Sequence, residues 1–190
     1  MKKVLIINGH PDKESFCHAL NQSYKKGALA KGREVQDIIL ADLAFNPILM
    51  YGYRKRTELE PDLLEAWKKI QWADHIVWIY PTWWASPPAL LKGFIERVFL
   101  PGFAFEYQEK SPFPKKLLTG KTSEIISTMD SPVPYYKWIV KDIGGKMMRR
   151  DIGAFCGIKN IRTTYLATIK TSTPEQREKW LNKIEKLAQK

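Results

Sequence analysis

The sequence predicts a single α/β domain with a five-stranded parallel sheet, strand order 2-1-3-4-5, covered by helices on both faces. Two observations predict this fold class. Short apolar runs alternate with segments of helical periodicity along the whole chain, and the apolar runs suit strands buried on both faces. A length of 190 residues suits one three-layer domain, and the sequence shows no internal repeat, low-complexity tract or linker.

The elements follow from hydrophobic periodicity and from turn-forming residues. The predicted strands are residues 3–8, 35–40, 75–80, 121–128 and 160–169. The predicted helices are residues 16–30, 60–72, 88–98, a mostly helical stretch over 135–155, and 174–190. The segments 42–56 and 103–114 are expected to be irregular loops.

The stretch from His75 to Phe105 organises the rest of the chain. Pro81 ends an apolar strand, a loop bearing Trp83 and Trp84 follows, and a helix begins after Pro88. In open α/β sheets, ligands bind at this carboxyl edge of the strands. The two indoles either plug the top of the core or form a subunit contact, or they hold a flat, electron-poor ring such as a flavin.

The first strand-to-helix turn is a candidate phosphate site. Its sequence, GHPDKES, is neither a GxGxxG nor a Walker fingerprint. Ser15 is the expected N-cap, and the peptide N–H groups of Phe16 and Cys17 are available for an anion, to which His10 can also donate. The alternative is that Ser15 merely caps the helix and that His10 ends the strand.

Composition narrows the function classes. The net charge is +11, but the basic residues are scattered and no nucleic-acid-binding motif is present. Most of the charge therefore indicates a solvated surface, which can also attract phosphorylated cofactors. No clustered Cys or His spacing indicates a metal, and two cysteines suggest reduced thiols. Cys156 and Arg162 have phosphatase spacing but precede a strand, which argues against that chemistry. Without a membrane-length apolar run or signal sequence, we expect a cytoplasmic protein.

Several segments together resemble the NAD(P)H:quinone oxidoreductase branch of the flavodoxin-like proteins, the relatives of DT-diaphorase and of bacterial modulators of drug activity. They stand in family order and cover most of the chain, and the run from Pro81 to Phe105 is highly specific. The matching residues are Asn8-Gly9-His10-Pro11, Ser15-Phe16, Ala19, Asp42-Leu43, Phe45-Asn46-Pro47, Pro81, Trp84, Pro88-Ala89, Leu91-Lys92-Gly93, Glu96-Arg97-Val98-Phe99, Phe103-Ala104-Phe105, Tyr107 and Phe155-Cys156-Gly157.

This resemblance implies a cytoplasmic flavoenzyme that passes hydride in ping-pong fashion from NAD(P)H through FAD, alternatively FMN, to quinones or to nitro or azo compounds. It also implies a homodimer in which aromatic residues face the partner's flavin. The implied cofactor-binding residues are His10, Ser15, Phe16, Cys17 and Ala19 on the phosphate side, with Pro81, Thr82, Trp83, Trp84, Ala85, Thr128, Met129 and Asp130 along the ring. The implied substrate pocket contains Phe105, Tyr107 and Tyr135.

The candidate catalytic residues are Tyr136 and Tyr107. The family's tyrosine–histidine proton relay has no clear match here, because the region around Tyr136 contains no histidine. Two rival functions remain open. One is a flavin-bearing regulatory subunit of a potassium-efflux system or other membrane partner. The other is a one-electron carrier, against which the basic charge argues.

Overall fold

A parallel sheet is the framework of the molecule. The computed structural model describes residues 2–190. Its strands, in chain order, are β1 (Lys3–Asn8), β2 (Glu34–Ile39), β3 (His75–Pro81), β4 (Phe105–Gln108), β5 (Ser111–Lys116), β6 (Thr122–Thr128) and β7 (Lys159–Leu166). Five of them form one parallel sheet in the order β2-β1-β3-β6-β7. The predicted fold class and strand order 2-1-3-4-5 are confirmed, since β6 and β7 are the predicted fourth and fifth strands.

The helices cover both faces of this sheet. They are α1 (Phe16–Ala30), α2 (Pro61–Trp72), α3 (Ala89–Val98), α4 (Ile143–Lys146) and α5 (Pro174–Leu187). Alternate residues of β1 point to opposite faces, so Leu5 and Ile7 pack with α2 and α3 in one core, whereas Val4 and Ile6 pack with α1 and α5 in the other. Every residue of β3 is buried, as a central parallel strand requires.

The segment 103–114 is not the predicted loop. It contains most of an antiparallel hairpin made by β4 and β5, separate from the parallel sheet. The sequence did not predict β5 because this strand contains Pro112 and Pro114, and proline has no backbone N–H to donate to a neighbouring strand. A two-stranded hairpin tolerates both prolines, since each strand has one unpaired side.

The stretch 135–155 is helical as predicted, but it is interrupted. Wide helical turns span Tyr135–Ile139 and Met147–Ala154 on either side of α4, and Lys141 and Asp142 adopt left-handed backbone conformations between them. The last strand also ends earlier than predicted, at Leu166, because Thr168 is left-handed and starts a short 3₁₀ turn.

The connection between β2 and α2 is irregular, as expected, and a buried arginine anchors it. Arg97 of α3 is 1% exposed and donates hydrogen bonds to the backbone carbonyls of Asn46 and Glu58 and to the Glu60 carboxylate. Within residues 2–190, no helix is both long enough and apolar enough to cross a lipid bilayer.

Candidate functional site at the carboxyl edge of the sheet

A small cavity lies where β1, β3 and β6 end. Its volume is about 160 Å³, and we call it the carboxyl-edge cavity. The residues that line it are His10, Phe16, Cys17, Pro81, Thr82, Trp83, Thr128, Met129, Asp130 and Ile169. All of them except Ile169 belong to the predicted cofactor-binding set. Three loops that are distant in sequence therefore converge at the edge where open α/β sheets bind ligands.

Ser15 immediately precedes the lining residues Phe16 and Cys17, and it gives this end of α1 an anion-binding character. It begins α1 in an extended conformation, but its hydroxyl makes no capping hydrogen bond and is buried without any partner. The peptide N–H groups of Phe16 and Cys17 also have no acceptor among residues 2–190. Ser15 therefore stands at the N-cap position without capping the helix through its side chain. An unpartnered hydroxyl beside a free helix N-terminus fits a phosphate group.

His10 is oriented by its own loop. Its Nδ1 accepts a hydrogen bond from the backbone N–H of Asp12 at 3.0 Å, so the ring proton resides on Nε2. Partial burial lowers the pKa of His10, although Asp12 opposes this shift, and the ring is neutral at pH 7. Its ring also meets Trp83 edge-on, with centroids 5.4 Å apart. The remaining Nε2–H is a hydrogen-bond donor beside the cavity.

The opposite wall is held by bonds between β3 and β6. The backbone N–H of Thr82 donates to the Thr128 carbonyl at 2.6 Å, and the Thr82 and Ser127 hydroxyls are 2.7 Å apart. Cys17 Sγ lies 3.4 Å from Thr128 Oγ1. Burial raises the pKa of Cys17 to about 12, so its thiol stays protonated and is no nucleophile.

A tight reversal, the indole turn (Trp83–Ser86), leads out of β3. The backbone N–H of Trp83 donates to the Ser86 carbonyl at 2.8 Å, and the reverse bond is 2.9 Å. Trp84 and Ala85 both have positive φ, +49° and +59°. Trp84 is 99% exposed and Trp83 is 45% exposed, so the indoles do not plug the core. The peptide N–H groups of Trp84 and Ala85 have no acceptor within residues 2–190.

The other predicted site residues lie outside the carboxyl-edge cavity. Ala19 is half-buried on α1 without lining it, and Tyr135 is exposed. Tyr136 is buried, and its hydroxyl donates to the Ala85 carbonyl at 3.2 Å. Phe105 is buried in the core against Phe155, so within one chain it is not an exposed pocket wall.

Tyr107 borders a second, larger cavity of about 710 Å³, the lateral cavity. Its lining includes Tyr53, Lys55, Arg56, Trp67 and Tyr107. The sequence did not indicate Tyr53 in this cavity, or Ile169 in the carboxyl-edge cavity. Ile169 had one usable signal, its position just after the last strand of the sheet.

Comparisons with known proteins agree with this architecture. A family model described as "Flavodoxin-like fold" matches residues 2–189. The crystal structure of Smu.1420 from Streptococcus mutans UA159 superposes with a TM-score of 0.86 at 31% identity, covering 98% of each chain.

Two curated relatives extend the comparison. The "NAD(P)H dehydrogenase [quinone] 1" of Rattus norvegicus is 28% identical, covering 97% of this chain and 77% of that protein. An "Uncharacterized NAD(P)H oxidoreductase" of Haemophilus influenzae is 30% identical, covering 83% of this chain and 79% of that protein. The expected resemblance is confirmed, and the chain belongs to the family with the flavodoxin-like fold.

Proposed function

We propose that this protein is a flavin-dependent NAD(P)H oxidoreductase that reduces quinones or azo and nitro compounds. The observation that carries the proposal is the carboxyl-edge cavity, in which the free N-terminus of α1 faces the loop that follows β3. One wall offers unused N–H and O–H donors, and the other offers an aromatic surface. Relatives named NAD(P)H dehydrogenase [quinone] 1 and ribosyldihydronicotinamide dehydrogenase [quinone] support the same activity.

The residues of this chain fit a flavin in two parts. Ser15 Oγ and the N–H groups of Phe16 and Cys17 would hold its phosphate side, where the dipole of α1 favours negative charge. Pro81, Thr82 and Trp83 would hold one edge of its ring system, with Thr128, Met129 and Asp130 along the other. The bound flavin would accept a hydride from NAD(P)H and deliver it to the second substrate.

The protein's own contribution is binding, orientation and exclusion of water. The free N–H groups of Trp84 and Ala85 are donors that stabilise negative charge developing on a nearby ring. The apolar wall formed by Phe16, Met129 and Trp83 keeps the hydride path dry. One aromatic-lined opening serves donor and acceptor in turn, which is the basis of ping-pong kinetics.

We propose FAD as the flavin, with FMN as the alternative. The support is the sequence resemblance of the Phe45-Asn46-Pro47 segment and of the Pro81–Phe105 run to FAD-using members. The FMN alternative is supported by an azoreductase of Bacillus anthracis that has the same fold and is described as FMN-dependent. Mass spectrometry of the flavin released by denaturing the purified protein distinguishes the two.

The proposal includes a homodimer. Large apolar side chains remain exposed in the single chain, and we divide them into a first group, Tyr53, Tyr107 and Phe113, and a second group, Trp84 and Trp138. A two-fold dimer that brings the first group of one copy onto the second group of its partner would cover both. Tyr107 would then reach the partner's cavity, as the resemblance implies.

The test is spectroscopic. Protein saturated with FAD should show the absorbance of bound oxidised flavin, lose it on anaerobic addition of NADPH or NADH, and recover it on addition of menadione. A protein that binds neither FAD nor FMN would contradict the proposal. Flavin that is bound but reduced too slowly for turnover would favour a regulatory subunit of a membrane partner instead.

A further inference from the structure

The indole turn has a backbone conformation that its side chains disfavour. Two consecutive positive φ values are typical of turns with Asn and Gly, whereas this turn has Trp84 and Ala85. Their Cβ atoms meet the backbone in the left-handed region, so neighbouring structure must hold the turn. The two hydrogen bonds between Trp83 and Ser86 close the turn but do not relieve this strain.

The segment 135–146 packs directly on the indole turn. Tyr136 Oη donates a hydrogen bond to the Ala85 carbonyl at 3.2 Å, which fixes the peptide that follows the two left-handed residues. Gly144 lies so close that an added Cβ would overlap the Ala85 carbonyl oxygen and lie 3.0 Å from Ser86 Cα. This contact leaves the turn little freedom to relax toward ordinary φ values.

Tyr136 is itself held by a partly buried polar clamp formed by Asp142, Arg149 and Tyr165. Arg149 Nη2 lies 2.6 Å from Asp142 Oδ2, and the Tyr165 hydroxyl donates to the same carboxylate. The backbone N–H of Asp142 donates to the Tyr136 carbonyl at 3.0 Å. Asp142 is also left-handed, with φ +52°, so the clamp stabilises a second unfavourable backbone conformation.

The protonation state of Tyr136 agrees with a holding role. Burial raises its pKa, and the N–H groups of Gly145 and Gly144 only partly offset this shift. The hydroxyl is therefore protonated at neutral pH, and it donates that proton to the Ala85 carbonyl. This geometry favours a holding role for Tyr136 over the catalytic role for which the sequence makes it a candidate.

We propose that Tyr136, fixed by the Asp142–Arg149–Tyr165 clamp, is a positioning residue that keeps the indole turn in its left-handed conformation. The consequence for the site rests on the proposed function, because the turn matters as the edge that orients a flavin. Tyr136 does not line the carboxyl-edge cavity, so its effect on binding acts through Trp84 and Ala85.

The test combines Tyr136→Phe with Ala85→Gly. Tyr136→Phe should speed hydrogen exchange of the Trp83 and Ser86 amides, whose hydrogen bonds close the indole turn, about fivefold in cofactor-free protein. It should weaken FAD binding by a similar factor, as loss of one hydrogen bond predicts. Adding Ala85→Gly should restore both values, because glycine adopts positive φ without strain. Tyr51→Phe, at an exposed tyrosine without a side-chain hydrogen bond in residues 2–190, should change neither.

Unchanged exchange in Tyr136→Phe, or failure of Ala85→Gly to restore it, would overturn the proposal. Should Tyr136→Phe not fold, Asp142→Asn decides the question by the same exchange measurement. Faster exchange at Trp83 and Ser86 supports the proposal, and unchanged exchange overturns it. Exchange is measured without cofactor, so its outcome is independent of whether the wild-type protein binds a flavin. Absence of flavin binding by the wild type would contradict the proposed function alone.

Discussion

At the scale of single residues, Ser15 connects structure to function most directly. A buried hydroxyl without a partner costs about 1–3 kcal/mol, and the Ser15 Oγ is in that state. A helix N-cap normally avoids this cost by bonding to its own helix, as Thr173 does with the Gln176 N–H at the start of α5. The difference between these two caps supports the ligand-binding role proposed for the Ser15 hydroxyl.

Ser15→Ala should therefore separate binding from stability. We expect FAD affinity to fall about fivefold to tenfold, because a hydrogen bond to a charged phosphate is lost. The free energy of unfolding of the cofactor-free protein should stay the same or rise slightly. Isothermal titration and urea unfolding measure the two quantities.

Thr173→Ala is the matched control for this experiment. It removes a cap that does bond to its helix, so it should lower the free energy of unfolding by about 1 kcal/mol and leave FAD affinity unchanged. A Ser15→Ala protein that behaves like Thr173→Ala would identify Ser15 as an ordinary cap.

The sequence identified the residue types of the carboxyl-edge cavity well, because they follow predicted strands in the chain. It left open whether Ser15 caps α1 or faces a ligand, since that depends on loop dihedral angles and not on residue type. The left-handed conformation of Trp84 and Ala85 was also not predictable, because neither residue is a glycine or asparagine.

At the scale of elements, Arg97 attaches the irregular connection before α2 to helix α3. Its guanidinium is almost fully buried, and two backbone carbonyls and one carboxylate satisfy most of its donors. Nε of this side chain has no partner within residues 2–190. Arg97 therefore stabilises the connection chiefly through Nη1 and Nη2.

Arg97→Met should destabilise the protein by about 3 kcal/mol or more, because it leaves Glu60 and two carbonyls without their donor. Urea unfolding at pH 7 measures the change. Lys68→Met, at an exposed lysine whose partner Glu65 is also exposed, should change the free energy of unfolding very little. Equal effects of the two substitutions would contradict the role assigned to Arg97.

The ion pair between Arg97 and Glu60 also predicts that the free energy of unfolding depends on pH. Burial alone would raise the pKa of Glu60, but hydrogen bonds from Arg97 and from the Asn46 N–H outweigh it and hold the pKa below its usual 4.5. A depressed carboxyl pKa adds stability that is present above the unfolded value and lost as pH falls through the folded one. The stability difference between wild type and Glu60→Gln should shrink as pH falls below about 4.5. A difference that stays constant with pH would show that the Glu60 charge contributes nothing.

The elements of the parallel sheet were predictable because each strand is a short apolar run bounded by turn residues. The β4–β5 hairpin was not, because Pro112 and Pro114 hide a strand that pairs on one side only. The interrupted helix over 135–155 was predicted only in outline. Its break at Lys141 and Asp142 depends on the contacts of Asp142 with Arg149 and Tyr165, which are tertiary.

At the scale of the whole molecule, the basic residues that produce the net charge of +11 are scattered along the sequence and form no nucleic-acid-binding motif. Such a charge attracts phosphorylated cofactors and substrates through its long-range field. The exposed aromatic side chains are a separate feature, and they support the proposed dimer. Hydrophobic periodicity does not reveal which surfaces form a subunit interface. Only the family resemblance therefore predicted a homodimer.

Tyr107→Glu should weaken the dimer and lower the quinone reductase activity of the flavin-loaded protein at least tenfold. Tyr107 is 67% exposed in the single chain, and a charge placed there would be buried against the partner. Light scattering and menadione turnover measure the two effects. Leu29→Glu, at an exposed position on α1, is the control and should alter neither. A monomeric wild type, or an unaffected Tyr107→Glu dimer, would contradict the assembly proposed.

The central claim is that a flavin lies at the carboxyl edge of the sheet, between the start of α1 and the loop that follows β3. A crystal structure of the FAD-reconstituted protein tests it most directly. We predict density for a phosphate within hydrogen-bonding distance of Ser15 Oγ and the Cys17 N–H, and for a tricyclic ring beside Thr82 and Trp83. A flavin bound elsewhere, with these donors still unpartnered, would contradict the account.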